Sequence, residues 1–388
     1  MTAMPHRQAV IAGIHNTRQA RRLEGETSRS LVISAAKAAL ADAGLTLGDV
    51  DGVSAGFGTG AALIYDLRLG PAWQGAQFGI AMVLEAAGAI ATGQADVVLI
   101  VTAEAGVYTE RASTAPWTRP GHEFVIPWGM FTAAEFALIA RRHMHLYGTT
   151  PEQLARVSAT IRNNGHHNPE AVYHGRGPFT PDDILASRMV ADPFHILDCS
   201  TTSEGGCAIV MTSLDRARDL PKPPVALLGG GVEYFGGSYR FPPTWDLAGR
   251  AAPHPNGLIG QRSADRAFAH AGLTRDDIDV LELYDPFSFE IIRQLEALGF
   301  CGPGEGGGFV DDGHIDIDGS HPVTTDGGTM SFSHAGATVQ MLQRVIRGVQ
   351  QVRGECVSGQ VPGARVALCT NAGAGALFHQ LAIVGAVD

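Results

Sequence analysis

The feature that most constrains this chain is an internal repeat. Ala43-Gly44-Leu45-Thr46, followed by Asp49-Val50-Asp51, returns as Ala271-Gly272-Leu273-Thr274, followed by Asp277-Ile278-Asp279, with identical spacing. Each copy closes an alanine-rich helical pattern, residues 28–43 and 260–271, and leads into a short apolar segment that reads as a strand. Gly44 and Gly272 fit the end of a helix, where a left-handed backbone excludes most side chains. A second echo pairs Ala95-Asp96-Val97-Val98-Leu99-Ile100-Val101 with Ala364-Arg365-Val366-Ala367-Leu368. Near-continuous apolar runs between helices mark strands buried on both faces. Two echoes in the same order imply duplicated βα halves, residues 1–225 and 226–388.

At 388 residues, either two to three domains or one architecture of repeated halves is expected. About 106–200 interrupts the repeat with Trp117, Pro120, Trp128, Arg162-Asn163-Asn164 and His166-His167. It reads as a helical and loop excursion over one face, the usual form of a lid or binding segment.

Composition removes several classes of function. With 28 basic against 39 acidic residues and no long basic run, the chain is not built for nucleic acid. Apolar stretches such as Val97 to Val101 are far too short to span a bilayer, and no signal core is present, so a cytoplasmic protein is expected. Cys199, Cys207, Cys301, Cys356 and Cys369 show no CxxC pairing, so neither a zinc site nor a disulfide framework is indicated.

The second half carries Glu282-Leu283-Tyr284-Asp285-Pro286-Phe287, then Gln294-Leu295-Glu296 with Leu298-Gly299-Phe300-Cys301, then Gly304-Glu305-Gly306-Gly307. Asp326-Gly327-Gly328 leads to Ser333-His334-Ala335-Gly336-Ala337, and Val361-Pro362-Gly363-Ala364 precedes a closing glycine-rich turn. Over nearly its whole length, and most strongly from Leu281 onward, the chain resembles the thiolase superfamily, in its lipid-transfer-protein or sterol-carrier-protein-x branch. The resemblance implies an α/β thiolase fold in five layers, αβαβα, with two central helices between the sheets and a homodimer formed through the first half.

Thiolases attack the acyl thioester with a cysteine at the start of a buried helix, where the helix N-terminus favours thiolate. That helix is expected here over about 78–93. Counting back from Ala91-Thr92-Gly93-Gln94-Ala95-Asp96 places Ala76 at the nucleophile position. No cysteine precedes Cys199, so no alternative count restores the nucleophile. Cys199, in Leu197-Asp198-Cys199-Ser200, resembles a segment that is structural in the family.

Among the remaining candidates, His334 matches the histidine of the family's Gly-His-Pro motif. Ser333 replaces its glycine, and Ala335-Gly336 shortens the turn. An imidazole there donates to an enolate oxygen as charge develops, or is a core histidine with its hydrogen bonds satisfied. Tyr284 and Asp285 follow an expected central strand. The steroid side-chain aldolases of this branch share the Leu-Tyr-Asp pattern, in which the tyrosine is a catalytic candidate; Tyr284 acts as acid or base, or else caps the strand. Asp285 orients it or faces solvent. Cys369 lies where thiolases keep their second, acid/base cysteine, in a turn running Cys369 to Gly375, and is either a proton donor to an enolate or a small buried residue. The glycines of that turn permit close backbone approach for an oxyanion site. His166 and His167 lack further metal-ligand spacing, so no metal site is expected there.

A retro-aldol cleavage needs a base for a β-hydroxyl and donors for a thioester enolate, but no covalent acyl carrier. The expected reaction is cleavage of a β-hydroxyacyl-CoA into a ketone or aldehyde and a shorter acyl-CoA, with coenzyme A entering as part of the substrate and no further cofactor. The related aldolases work with a small OB-fold, zinc-ribbon partner that binds the CoA portion, which implies an α2β2 assembly. A CoA ligand also calls for positive potential at one mouth. Two alternatives stay open: a thiolase or acyltransferase using a displaced cysteine, and a non-catalytic acyl-CoA or lipid-binding subunit.

Overall fold

The two echoes turn out to be two ends of one hydrogen-bonded device. The carboxylate of Asp51 accepts the backbone N–H groups of Asp96 and Val97 at 2.8–2.9 Å. Asp279 accepts those of Arg365 and Val366, both at 2.8 Å. Each aspartate therefore clamps the first amides of the strand named by the second echo. Upstream, Thr46 and Thr274 sit in matching boxes with Asp49 and Asp277, whose carboxylates accept the threonine N–H at 2.9 and 2.7 Å. Gly44 and Gly272 have φ of 69° and 68°, the left-handed backbone expected of them.

The computed structural model describes residues 8–55, 59–106, 132–234, 259–373 and 378–387, with the side chains of all of these except 336–338, 340 and 341. Trp117, Pro120, Trp128 and the Ala374-Gly375 end of the glycine turn lie outside the described residues. The first half runs β1 (Ala9–Asn16), α1 (Ser28–Asp42), β2 (Gly52–Ser54), α2 (Gly60–Asp66), β3 (Trp73–Gln74), α3 (Ala81–Ala91) and β4 (Val97–Glu104). The excursion follows with α4 (Thr132–Tyr147), α5 (Pro151–His167), α6 (Pro181–Ala186), β5 (Met189–Ala191) and β6 (Phe194–His195), before β7 (Gly205–Ser213) and α7 (Leu214–Ala217). The second half is β8 (Val225–Tyr234), α8 (Gln261–Ala271), β9 (Val280–Glu282), α9 (Ser288–Leu298), α10 (Gly306–Asp311), α11 (Gly336–Arg353), β10 (Val366–Gly373) and β11 (Phe378–Ala386).

The main sheet has the order β3-β2-β4-β7-β1-β8-β11-β10-β9. Its halves meet at β1 and β8, where Val10 pairs with Ala226 and Ile11 with Val225. Read outward from that junction, β1, β7, β4, β2 correspond to β8, β11, β10, β9, so the strand order repeats as the sequence does.

Alternation along β4 shows the layering. Val98 and Ile100 join α3 residues such as Met82 and Ile90 and α11 residues such as Leu342 and Ile346 in one core. Val97, Leu99 and Val101 face the other way, onto Ala35, Ala36 and Ala39 of α1. On the second half, Leu368, Leu381 and Ile383 face Phe268 of α8 and Leu295 of α9, with Phe136 of α4 and Val157 of α5 behind them. Helix, half-sheet, α3 with α11, half-sheet, helix is the expected five-layer order. Strands buried on both faces explain why the echoes read as unbroken apolar runs.

Candidate active site

A buried ion cluster shapes the loop between β9 and α11. Arg344 holds Asp326 through two hydrogen bonds of 2.8 Å and reaches Glu282 at 3.3 Å. Burial opposes ionisation of Asp326, but Arg344 overcomes it and keeps the carboxyl below its ordinary range. Thr325 donates to Glu282 at 2.6 Å and accepts from Arg347 at 2.8 Å. The loop can turn so sharply because Gly327 and Gly328 have positive φ, and a Cβ on Gly328 would collide with the Asp285 carboxylate.

That carboxylate is the clearest departure from expectation for a candidate residue. Asp285 neither faces solvent nor reaches toward Tyr284; it is fully buried and accepts the N–H groups of Thr329 and Met330 at 2.7 and 3.0 Å. It caps the π-turn Gly328–Phe332. Burial pushes its carboxyl up to about 7, against the pull of Arg344 and the two amides. Its place in the site is that of a brace.

His334 follows this turn, and a directed chain of donors fixes its backbone. The His334 N–H donates to Ser203 Oγ at 2.8 Å; Ser203 and Ser333 hydroxyls lie 2.9 Å apart; Ser333 donates to Gln19 Oε1 at 2.7 Å. Gln19 Nε2 then donates to the Thr17 carbonyl at 2.6 Å. Ser333, which departs from the motif's glycine, is thus a link in the chain. The imidazole is half-buried, and its ring nitrogens make no hydrogen bond among the described residues. Burial pushes it down to about 4, so at neutral pH it is an uncharged ring with one N–H to donate.

Tyr284 is buried, with its N–H on Thr370 Oγ1 at 3.0 Å and its carbonyl taken by Gln294 at 2.7 Å. Its backbone therefore runs beside β10, next to Asn371. Cys369 is not in a turn. It lies within β10, fully buried, where a Cβ on Gly348 of α11 would meet its sulfur. Burial pushes its thiol far up, which removes thiolate at neutral pH and favours the small-residue reading. Cys199, Cys207, Cys301 and Cys356 are each pushed up to about 12 by burial. His166 Nδ1 accepts the Gly177 N–H at 3.0 Å and so anchors the loop after α5.

The helix expected to carry the nucleophile begins at Ala81 rather than near 78. Ala76 lies in the exposed approach to it. Gln380 Oε1 accepts the Ala81 N–H at 3.2 Å and Asn371 Nδ2 at 3.1 Å, while Gln380 Nε2 donates to the Tyr234 hydroxyl at 3.2 Å. Because a backbone N–H only donates, it fixes which way the Gln380 amide points, and with it Asn371. The Asn371 Oδ1 left over is buried without a partner among the described residues. Phe78 and Tyr234 pack against Phe378, at 5.6 and 5.8 Å between ring centroids, on the rim of this group.

Asn371, Gln380 and Tyr234 were missed in the sequence, where Asn371 counted merely as part of the glycine turn. Their convergence depends on the Asn371–Gln380 pairing across β10 and β11, which spacing does not reveal. Also missed was Glu135 on α4, whose carboxylate is fully buried with neither oxygen hydrogen-bonded among the described residues. Burial pushes it up to about 7. Its neighbour Phe136 packs against Phe287 at 4.8 Å, three residues past Tyr284.

A cleft of about 660 Å³ opens beside the His334 chain. Gln19 and Phe332 form part of its floor, and Arg18, Arg21, Arg22 and Arg176 line it.

Residues 256–386 match the family described as Thiolase C-terminal domain-like. The chain is 33% identical to a steroid side-chain-cleaving aldolase of Thermomonospora curvata, over 95% of each protein. It is 35% identical to a 17-hydroxy-3-oxo-4-pregnene-20-carboxyl-CoA lyase of Mycobacterium tuberculosis, covering 90% of this chain and 93% of that one. Among solved structures, an Ltp2-ChsH2(DUF35) aldolase superposes with a TM-score of 0.84 and 30% identity, over 99% of both chains.

Proposed function

The chain belongs to the thiolase superfamily, and on that premise we propose that it is an aldolase cleaving a β-hydroxyacyl-CoA by a retro-aldol reaction. The products are a ketone or aldehyde and a shorter acyl-CoA. The observation that carries this reading is the occupied N-terminus of α3. Where a thiolase holds its nucleophile, this chain has Ala76 outside the helix and a neutral amide, Gln380, on the first helical N–H. Thiols with pKa values near 12 do not supply a displaced nucleophile at neutral pH.

In the cleavage a base takes the β-hydroxyl proton, the Cα–Cβ bond breaks, and its electron pair moves onto the thioester carbonyl as an enolate. The enolate carbon then takes up a proton. Electrons stay within the substrate, so the step needs no redox partner. Tyr284 is assigned the hydroxyl proton and His334 the enolate oxygen. A neutral imidazole suits the second role, because its N–H stabilises the developing charge without already carrying a proton it would have to lose. Asp285 acts as a brace for the turn that delivers His334, and Cys369 as packing under β10.

The superposed aldolase is a complex with a DUF35 subunit. We extend that to an α2β2 assembly here, with a small OB-fold partner and the thiolase-like chains as a homodimer. No helix among the described residues is long and apolar enough to cross a membrane; a cytoplasmic location fits the reduced thiols.

The test is co-purification with the small partner followed by product analysis on β-hydroxyacyl-CoA substrates bearing steroid, aromatic or aliphatic groups. Formation of a carbonyl product and a shortened acyl-CoA in equal amounts is expected. Binding without turnover across all of them would instead make the chain a non-catalytic acyl-CoA-binding subunit. Unchanged turnover in a Tyr284→Phe, His334→Ala double variant would remove both side chains from the chemistry.

A further inference from the structure

Arginine is scarce in the field of this protein, whose 28 basic residues are outnumbered by 39 acidic ones. Four arginines nevertheless gather on one cleft. Arg18, Arg21 and Arg22 come from the loop after β1, and Arg176 from the loop after α5, more than a hundred residues away. All four are exposed, and Glu170 is the acidic residue on the same wall. Such a concentration against an acidic background focuses positive potential at one mouth.

The cleft is also built into the site. Its floor includes Phe332, two residues before His334, and Gln19, which receives the Ser333 hydroxyl that ends the His334 chain. The Gln19 amide is itself held by the Thr17 and Gly206 carbonyls at 2.6 and 3.2 Å. A buried, hydrogen-bonded floor with an arginine rim suits an elongated ligand that is anionic at one end and neutral where it meets the histidine. Guanidinium groups match phosphate oxygens with paired, charge-assisted hydrogen bonds.

We propose that this cleft binds the nucleotide phosphates of the CoA thioester, with Arg18, Arg21, Arg22 and Arg176 as their ligands. The inference rests on the acyl-CoA reading above. It differs from the resemblance, which gives the CoA portion to the partner subunit; the phosphates belong to this chain.

The experiment compares wild type with an Arg18→Glu, Arg176→Glu variant, both in the complete assembly with its small partner. Two substrates are used that differ only in the nucleotide: a β-hydroxyacyl-CoA and the matching β-hydroxyacyl-pantetheine thioester. The readout is the ratio of their KM values. In the variant KM for the CoA thioester rises about tenfold or more relative to the pantetheine thioester, as expected when charge-assisted contacts become repulsive. The same variant weakens binding of adenosine 3′,5′-bisphosphate, and high salt raises the wild-type KM for the CoA substrate alone.

Equal effects on both substrates would show a merely structural change and overturn the proposal, as would no effect on either. Loss of partner affinity with an unchanged KM ratio at saturating partner would reassign the arginines to protein docking. Should wild type turn over neither substrate, the retro-aldol reading fails, and bisphosphate binding still decides the cleft.

Discussion

The carboxylate of Glu85, on the second turn of α3, accepts the backbone N–H of Ala76 at 3.0–3.1 Å and that of Gln77 at 3.0 Å. The segment leading into the helix is thereby pinned by an anion. In a thiolase the corresponding place must favour thiolate, and a carboxylate on the adjacent amides does the opposite, since like charges disfavour ionisation. Ala76→Cys is therefore expected to create no thiolase. Intact-mass measurement after incubation with acyl-CoA should show no acyl adduct, and adduct formation would mean that the first-helix environment is still fit for a nucleophile.

Replacing Gln380 removes the acceptor shared by Ala81 N–H and Asn371 Nδ2, leaving two donors without a partner. Each buried unsatisfied group costs about 1–3 kcal/mol. Gln380→Leu is expected to lose roughly 2–5 kcal/mol in urea unfolding, well above the usual effect of an amide-to-apolar change on a surface. A loss near zero would mean that neither donor depends on Gln380.

The duplicated fold was legible because both halves solve one local problem with the same residue. Asp51 and Asp279 must satisfy the amides at the start of the next strand, so their spacing is kept by hydrogen bonding rather than by composition. The lost nucleophile was legible for a simpler reason, since a missing cysteine is visible without a structure. Side-chain direction was harder to read. Asp285 looked like a partner for Tyr284 in a turn, whereas the tight glycine loop at Gly327 and Gly328 brings Thr329 and Met330 onto its carboxylate from 44 residues away or more. Cys369 looked like a turn residue because glycines follow it, yet β10 continues through Gly373. Asn371 and Gln380 gain meaning from strand pairing, and Glu135 from burial, neither of which leaves a mark in the spacing of residues.

Arg344 offers a stability test of the loop that carries His334. It neutralises Asp326 and sits against Glu282, and both carboxylates are buried. Arg344→Met leaves those acids uncompensated, for an expected loss of about 3–5 kcal/mol at pH 7.5. Without the guanidinium both carboxyls are easier to protonate, so the deficit relative to wild type should shrink as pH falls toward 5. Urea unfolding at the two pH values checks this; a deficit independent of pH would assign the loss to packing alone.

Glu135 gives the protein a pH signature of opposite sense to an ordinary paired carboxylate. Burial raises its folded-state value from the usual 4.5 to about 7. A carboxyl raised in the folded state stabilises while it is protonated. Its contribution is complete below the unfolded value and is lost as pH rises through the folded one. The loss between pH 4.5 and neutrality approaches roughly 3 kcal/mol, the free energy of about two and a half pKa units. Asp285, also raised to about 7 by burial, adds a share in the same window. Glu135→Gln replaces a group that must ionise with one that cannot, so the variant should unfold at higher urea than wild type at pH 8 and differ little at pH 4.5. Equal pH profiles for the two proteins would mean that Glu135 is ionised throughout, with a partner for its charge.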